Sequence, residues 1–173
     1  MNFFQRFKYS CLLRETKKFI YKKRFHNLHT AKKIGILFQC NEDTKAVIDE
    51  FISKLRKYKI EVITLCYQQN VEVKDNVADY VITKKELNFW GCPIKSKIKS
   101  FINTGFEILI LASLENIYPL TYIFAISNAQ LKVSPLYKEW NFADLTLKIR
   151  EGETLDFFFS NIEKYLLEIQ TKK

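Results

Sequence analysis

The sequence is poor in glycine, and its four glycines lie far apart, at positions 35, 91, 105 and 152. None of them forms GxGxxG or GxxxxGK[ST], the glycine-rich loops whose backbone N–H groups hold phosphates. The chain therefore lacks the usual sequence signals of a nucleotide-binding enzyme.

Histidine is also scarce, and the cysteines are not paired. The two histidines, His26 and His29, lie near the N-terminus, so a serine or cysteine nucleophile in the rest of the chain has no histidine base nearby in sequence. The cysteines are too widely spaced for a CxxC metal or redox motif. We expect buried or half-buried free thiols in a reducing compartment, and we predict no metal and no cofactor. The four are Cys11, Cys40, Cys66 and Cys92.

Long apolar runs are missing as well. The longest, ILILASL at residues 108–114, is far too short to cross a bilayer, so we expect no transmembrane segment. The N-terminus has no uninterrupted apolar stretch of the kind that a secretory signal needs, and it only partly matches a mitochondrial transit peptide.

Positive charge is abundant, but it is confined to one part of the chain. The first 33 residues hold ten Lys and Arg and one acidic residue, a net of +9, whereas the other 140 residues hold 18 cations and 18 anions. This asymmetry indicates a basic arm with an anionic partner. We predict a basic N-terminal arm at residues 1–32 and a single α/β domain at 33–173, which we expect to fold without the arm.

Strand and helix patterns alternate along the predicted domain. Asn41 and Thr154 are suited to cap helices, and Pro93 and Gly105 to begin and end another. Such alternation predicts a three-layer sandwich with a mostly parallel five- or six-stranded sheet, Rossmann-like or flavodoxin-like, preceded by a helical arm. An antiparallel or edge strand is expected late in the chain. Strands are predicted near 33–40, 60–67, 79–83, 106–113, 130–136 and 143–149.

Polar residues follow three of these strands, where parallel sheets bind ligands. A solvated helix N-terminus accounts for two of them, Glu42 and Asp43, so an enzyme with a site at the strand ends is only an alternative. The candidates are Cys40, Asn41, Glu42, Asp43, Tyr67, Gln68, Ser113, Glu115 and Asn116.

The stretch NFWGCP, with Phe89 and Trp90, has two interpretations. The rings could stack on nucleic-acid bases. Alternatively, they could seal an edge of the sheet, and the sequence favours this interpretation because large aromatic side chains mostly serve burial.

Four stretches carry a resemblance to a known family: KIGILF after the arm, LNFWGCP, FINTGFEILILASLENIYPLTYIFAIS and ADLTLKI. Together they resemble a small bacterial family of the Bacteroidota, a domain of unknown function, over about residues 32–170. The resemblance implies a bacterial, cytoplasmic setting and an α/β fold. It brings no activity, cofactor or catalytic residue.

The arm decides the functional prediction. An amphipathic membrane helix needs one apolar face, which only residues 3–13 provide, whereas from Arg14 onward the cations are predicted on all sides. Such a segment, with interleaved aromatic residues, suits an RNA groove. We therefore predict a non-enzymatic RNA-binding or ribosome-associated protein, with a peripheral membrane or protein–protein adaptor as the alternative. The predicted RNA contacts are Arg14, Lys17, Lys18, Lys22, Lys23 and Arg24.

Overall fold

A computed structural model describes residues 3–17, 23–69, 78–138 and 141–169. After a first helix, helices and strands mostly alternate, as predicted. The exceptions are the second and third strands and the fifth and sixth strands, with no helix described between them, and a 3-10 turn at Lys84–Glu86 follows the third strand. The elements are α1 Phe3–Thr16, β1 Lys33–Gln39, α2 Glu42–Arg56, β2 Glu61–Gln68, β3 Tyr80–Thr83, α3 Lys95–Ile102, β4 Ile108–Ala112, α4 Tyr118–Ile126, β5 Leu131–Pro135, β6 Leu145–Leu147 and α5 Leu155–Glu168.

Six strands in the described residues form one sheet in the order β3-β2-β1-β4-β5-β6. Every neighbouring pair is parallel. This order is that of the doubly wound Rossmann-like fold, so the predicted fold class is confirmed. The expected late edge strand is β6, and it is parallel to its neighbour.

The core lies on both faces of the sheet because successive side chains of a strand point to opposite sides. Leu37 of β1 packs with α3 and α4 on one face. Its neighbours Ile36 and Phe38 pack with α2 and α5 on the other face. All five residues of β4 are buried, as predicted for a central strand. Gly35 completes the packing, since a Cβ there would lie 2.7 Å from Leu109 Cδ1.

Two of the predicted helix starts are confirmed, and one is wrong. Asn41 Oδ1 accepts a hydrogen bond from the Thr44 amide at 2.7 Å, and Thr154 caps α5. Pro93 does not begin α3, which starts at Lys95. Instead, Pro93 pairs with Leu87 in a short antiparallel bridge, which holds it in an extended conformation outside the helix.

The described parts of the N-terminal region pack against the domain. Leu12 of α1 is fully buried beside α4. Leu28 is fully buried on the opposite face of the sheet, and its amide donates to the Leu166 carbonyl at 3.1 Å. The division after residue 32 stays a prediction. These contacts, however, remove the reason for expecting residues 34–173 to fold alone, since both core clusters use earlier residues.

Candidate functional site

The sheet has its switch point between β1 and β4, where the chain leaves one strand for α2 and the other for α4 on the opposite face. Folds of this order bind ligands in the crevice at that point. Here it is a cavity of about 200 Å³, and it brings together Asn41, Ser113 and Glu115 from the predicted candidates. Its lining is Gln39, Asn41, Thr44, Ala112, Ser113, Leu114, Glu115 and Leu155.

Polar groups in this crevice hydrogen-bond to one another. Asn41 caps α2, and its side-chain oxygen accepts a hydrogen bond from the Thr44 amide. Ser113 Oγ donates to the Glu115 carbonyl at 2.7 Å, and the Ser113 carbonyl accepts from Tyr137 OH. Burial raises the pKa of Tyr137, so its hydroxyl stays a donor. Asn41 Oδ1, Ser113 Oγ and the Ser113 carbonyl are thus engaged within the chain.

Negative charge further disfavours an anionic ligand there. Glu42 and Asp43 occupy the first turn of α2, and Glu115 is exposed across the crevice. Glu115 lines the cavity, and its carboxylate repels a phosphate there. The turn after β1 has no glycine, and the cavity beside it does not suit the phosphates of a nucleotide.

Tyr67 and Gln68, the candidates predicted to follow the second strand, are the last two residues of β2, and Gln68 is half-buried. Tyr67 is buried, and burial raises its pKa. Next to it, burial and the neighbouring Cys40 thiol raise the pKa of Cys66 to about 12, which keeps Cys66 protonated and a poor nucleophile. Asn116 accepts from Thr121 Oγ1 at 2.7 Å, a bond that steadies the start of α4.

Helix α1 is held against the domain by one of its faces. Leu12 supplies the buried apolar contact. Beside it, Lys8 Nζ lies 4.4 Å from the centroid of the Tyr118 ring, and Tyr9 contacts the Phe142 ring with centroids 5.9 Å apart. These contacts fix the rotation of α1 and therefore decide which residues face outward.

The outward face of α1 carries cations. Arg6 and Arg14 of α1 are exposed, as is Lys17, which follows the helix directly and whose amide donates to the Leu13 carbonyl. Their spacing of eight and three residues places them on one side of the helix. Lys8 packs against the domain, so within α1 the exposed cations lie mainly on one side. Of the six predicted RNA contacts, the structure brings Arg14 and Lys17 together. Lys18 and Lys22 lie outside the described residues.

Lys23 and Arg24 lie elsewhere, beside the amino ends of β5 and β6. Lys23 Nζ donates to Asp144 Oδ1 at 2.6 Å, and the other carboxylate oxygen of Asp144 accepts from the Lys132 amide at 2.9 Å. The Arg24 amide donates to the Gln130 carbonyl at 3.3 Å, while its side chain is exposed. Lys23 therefore joins the N-terminal segment to the domain, a role not predicted from the sequence.

A second cationic surface escaped the sequence argument because the domain is neutral as a whole. Residues 84–99 hold five lysines and one acidic residue. All five lysines are exposed. They flank Phe89 and Trp90, which are 90% and 43% exposed, so the interpretation that these rings seal the sheet edge is wrong. A charge count in short windows would have found this surface.

Helix α1 lies next to this lysine-rich segment. Glu15 forms an ion pair with Lys95 at the start of α3. Lys8 Nζ approaches Gly91, where an added Cβ would lie 3.5 Å from it. Residues 84–99 and the exposed cations of α1 thus form neighbouring surfaces, which together we call the cationic surface.

Residues 5–169 match DUF6913, described as a family of unknown function. The chain belongs to this family. The match runs from α1 to the end of α5, and it confirms the resemblance to a domain of unknown function. No curated protein and no solved structure matches the chain.

Proposed function

We propose that this protein binds RNA without catalysing a reaction, that its partner is ribosomal or ribosome-associated RNA, and that it acts in the bacterial cytoplasm. The observation that carries the proposal is the exposure of Arg14 and Lys17 at the end of a helix held against the domain, next to five exposed lysines. The N-terminal cations contact RNA phosphates, and the domain holds them in place.

Electrostatics favour a polyanion as the partner. Neutralising phosphates releases condensed counterions, which gives affinity without requiring shaped pockets. The packing of α1 also lowers the entropic cost of binding, because part of the cationic segment is already ordered. The crevice at the switch point is small, with one carboxylate and no basic residue in its lining, and it supports the enzyme alternative poorly.

The decisive experiment is a salt titration of RNA binding by the full chain. With five or six phosphate contacts, log K should fall with log salt at a slope of roughly −3.5 to −5. The double substitution Arg14→Ala/Lys17→Ala should weaken binding to all sequences and flatten the slope by about 1.4. The matched control is Lys54→Ala/Arg56→Ala, which removes the same charge from α2 on the other side of the sheet.

Two outcomes would contradict the proposal. One is an affinity for RNA that does not depend on salt. The other is an equal loss in the α2 control, which would show that only total charge matters. Co-sedimentation with ribosomes then tests whether ribosomal RNA is the partner.

The alternative, a peripheral membrane or protein–protein adaptor, has one observation in its favour. Phe89, Trp90 and Ile94 are exposed beside lysines, a combination that anionic lipid surfaces also attract. In the described parts of the chain, no helix is long and apolar enough to cross a bilayer. Parallel sedimentation with anionic and neutral vesicles decides between the alternatives, because membrane binding predicts competition between vesicles and RNA.

A further inference from the structure

Phe89 is the most exposed large hydrophobic side chain in the described residues, at 90%. Exposed phenylalanine gains nothing from folding, because its ring stays in water. Large exposed apolar groups that are rimmed by polar residues mark interaction sites. The ring therefore has a partner outside the domain.

The loop that carries Phe89 is firmly built. Asn88 Oδ1 accepts from the amides of Trp90 at 2.9 Å and Cys92 at 3.0 Å. The Gly91 amide donates to the Asn88 carbonyl at 2.8 Å, and Gly91 has a φ of +75°, a conformation that favours glycine. The ring is thus presented on a closed turn, and its position is set by backbone contacts.

From these observations we infer that the protein binds single-stranded RNA, and that Phe89 is the ring on which an unpaired base stacks. This inference rests on the proposed function and names the form of RNA that it recognises. Base–aromatic stacking combined with flanking cations is the general way in which proteins hold single strands. A duplex does not offer the same contact, because its bases are already stacked within the helix.

The geometry of the two rings assigns their roles. The Phe89 and Trp90 planes meet at 84°, with centroids 5.4 Å apart, in an edge-to-face contact. One base cannot lie flat on both rings at that angle. Phe89, the more exposed ring, is therefore the stacking surface, and Trp90 is a positioning residue that supports it.

Flanking lysines complete the charge complementarity with a strand that crosses the loop. Lys84 and Lys85 precede the aromatic pair, and Lys95 and Lys97 follow it. Lys95 and Lys97 stand in the first turn of α3, where cations oppose the helix dipole and acidic residues are absent. This placement opposes the dipole of α3, and Lys95 also forms the ion pair with Glu15. Both lysine side chains are nevertheless exposed, which suits phosphates on either side of a stacked base.

A second copy of the chain fits this surface less well. Stable interfaces bury about 800 Å² on each partner around an apolar centre, whereas here a small apolar group of Phe89, Trp90 and Ile94 stands among lysines. A second copy would also bring the same positive charge, and like charges repel.

The test uses the full chain with three substitutions at one position. The probe is an oligouridylate of about ten nucleotides, with the matching duplex as comparison. We expect Phe89→Ala to weaken binding to the single strand by about 5-fold to 150-fold, and we expect Phe89→Trp to retain it. Phe89→Leu, which keeps an apolar side chain without a ring, should lose nearly as much as Phe89→Ala. The salt slope should stay the same, since no phosphate contact is removed.

Several results would overturn the inference. One is an unchanged affinity of Phe89→Ala for the single strand. Another is equal binding of the duplex with the same dependence on Phe89. Both results leave the proposed function standing. If Phe89→Leu retains binding to anionic phosphatidylglycerol vesicles and these vesicles displace the oligouridylate, the ring serves a membrane. Failure of the unsubstituted chain to bind any RNA overturns the proposed function itself. Thermal melting checks that each variant is folded. We expect no change, because the exposed Phe89 side chain does not contribute to the stability of the fold.

Discussion

The crevice between β1 and β4 and the cationic surface differ in how their polar groups are used. In the crevice, Asn41, Ser113 and Tyr137 donate to or accept from groups of the same chain. On the cationic surface, five lysines and the Phe89 ring face solvent. The first region uses these polar groups within the fold, whereas the second exposes most of its charge and apolar area to solvent, although Lys95 pairs with Glu15.

This difference teaches that fold and function can be separated in one molecule. The strand order is that of a dinucleotide-binding fold, yet the cavity where such folds bind is small, and its lining has no glycine and no basic residue. A fold hosts sites and does not define them. The exposed cations and the exposed Phe89 lie on α1 and on residues 84–99, and the strand order alone does not explain them.

The largest expected effect tests whether α1 belongs to the domain that carries the cationic surface. Leu12 is fully buried and Leu13 is 37% exposed, which makes them a matched pair on one helix. Leu12→Ala should lower the free energy of unfolding by about 2–5 kcal/mol, because it leaves a cavity beside α4. Leu13→Ala should change it by about 0.5 kcal/mol or less. Urea denaturation measures both, and equal effects would mean that α1 is not part of the core.

A second prediction contrasts the exposed lysines with a buried one. Lys132 in β5 is fully buried, its Nζ donates to the Ala125 carbonyl at 2.8 Å, and burial lowers its pKa to about 7. Between pH 7 and its ordinary pKa of 10.5, the unfolded chain binds more protons at this lysine than the folded one. Stability from this group therefore rises with pH across that window.

Lys132→Met should remove this rise. The variant should gain stability relative to the unsubstituted protein at pH 7, and the gain should shrink toward pH 10 by an amount on the order of a few kcal/mol. Urea denaturation at several pH values measures the difference. Lys148→Met, at an exposed position, is the control. Parallel pH curves for Lys132→Met and the unsubstituted protein would show that Lys132 is charged in the fold.

A third prediction concerns a hydrogen bond within the crevice. Asn41→Ala removes the side chain that accepts from the Thr44 amide, and it should cost about 1 kcal/mol of stability. Asn41→Ser keeps a capping oxygen and should cost less. RNA affinity should not change in either variant. A loss of RNA binding in Asn41→Ala with an intact fold would move the site toward the crevice.

The smallest expected effect concerns single charges on the cationic surface. Lys97→Ala on α3 should weaken RNA binding slightly and flatten the salt slope by about 0.7. Lys164→Ala on α5, exposed on the opposite layer, should leave the slope unchanged. Identical slopes for both variants would restrict the contact surface to the N-terminal residues.

The sequence predicted the elements that depend on local patterns. The apolar run of β4 and the cap at Asn41 were recognisable because burial and capping leave marks within a few residues. The strand order was not predictable, since it is decided by pairing between distant segments. Pro93 was misplaced for the same reason, because its bridge to Leu87 closes a turn that helix-start rules do not describe.

Exposure was the harder quantity to predict. Adjacent Phe and Trp residues usually indicate buried side chains, yet Phe89 follows the turn around Asn88 and is exposed. Lys132 lies in a predicted strand, but its full burial depends on α4, where the Ala125 carbonyl accepts a hydrogen bond from Lys132 Nζ. Both cases depend on neighbours that a single sequence does not identify.

The hydrogen bond from the Leu28 amide to the Leu166 carbonyl has a consequence for synthesis. The chain emerges from the ribosome N-terminus first, so the basic segment appears long before α5 can receive it. At about 5–20 residues per second, the delay is roughly 7 to 28 seconds. For most of that time Asp144 has not been synthesised, so Lys23 cannot form its ion pair with Asp144. The nascent chain thus presents its positive charge beside the ribosome before the finished fold sequesters part of it.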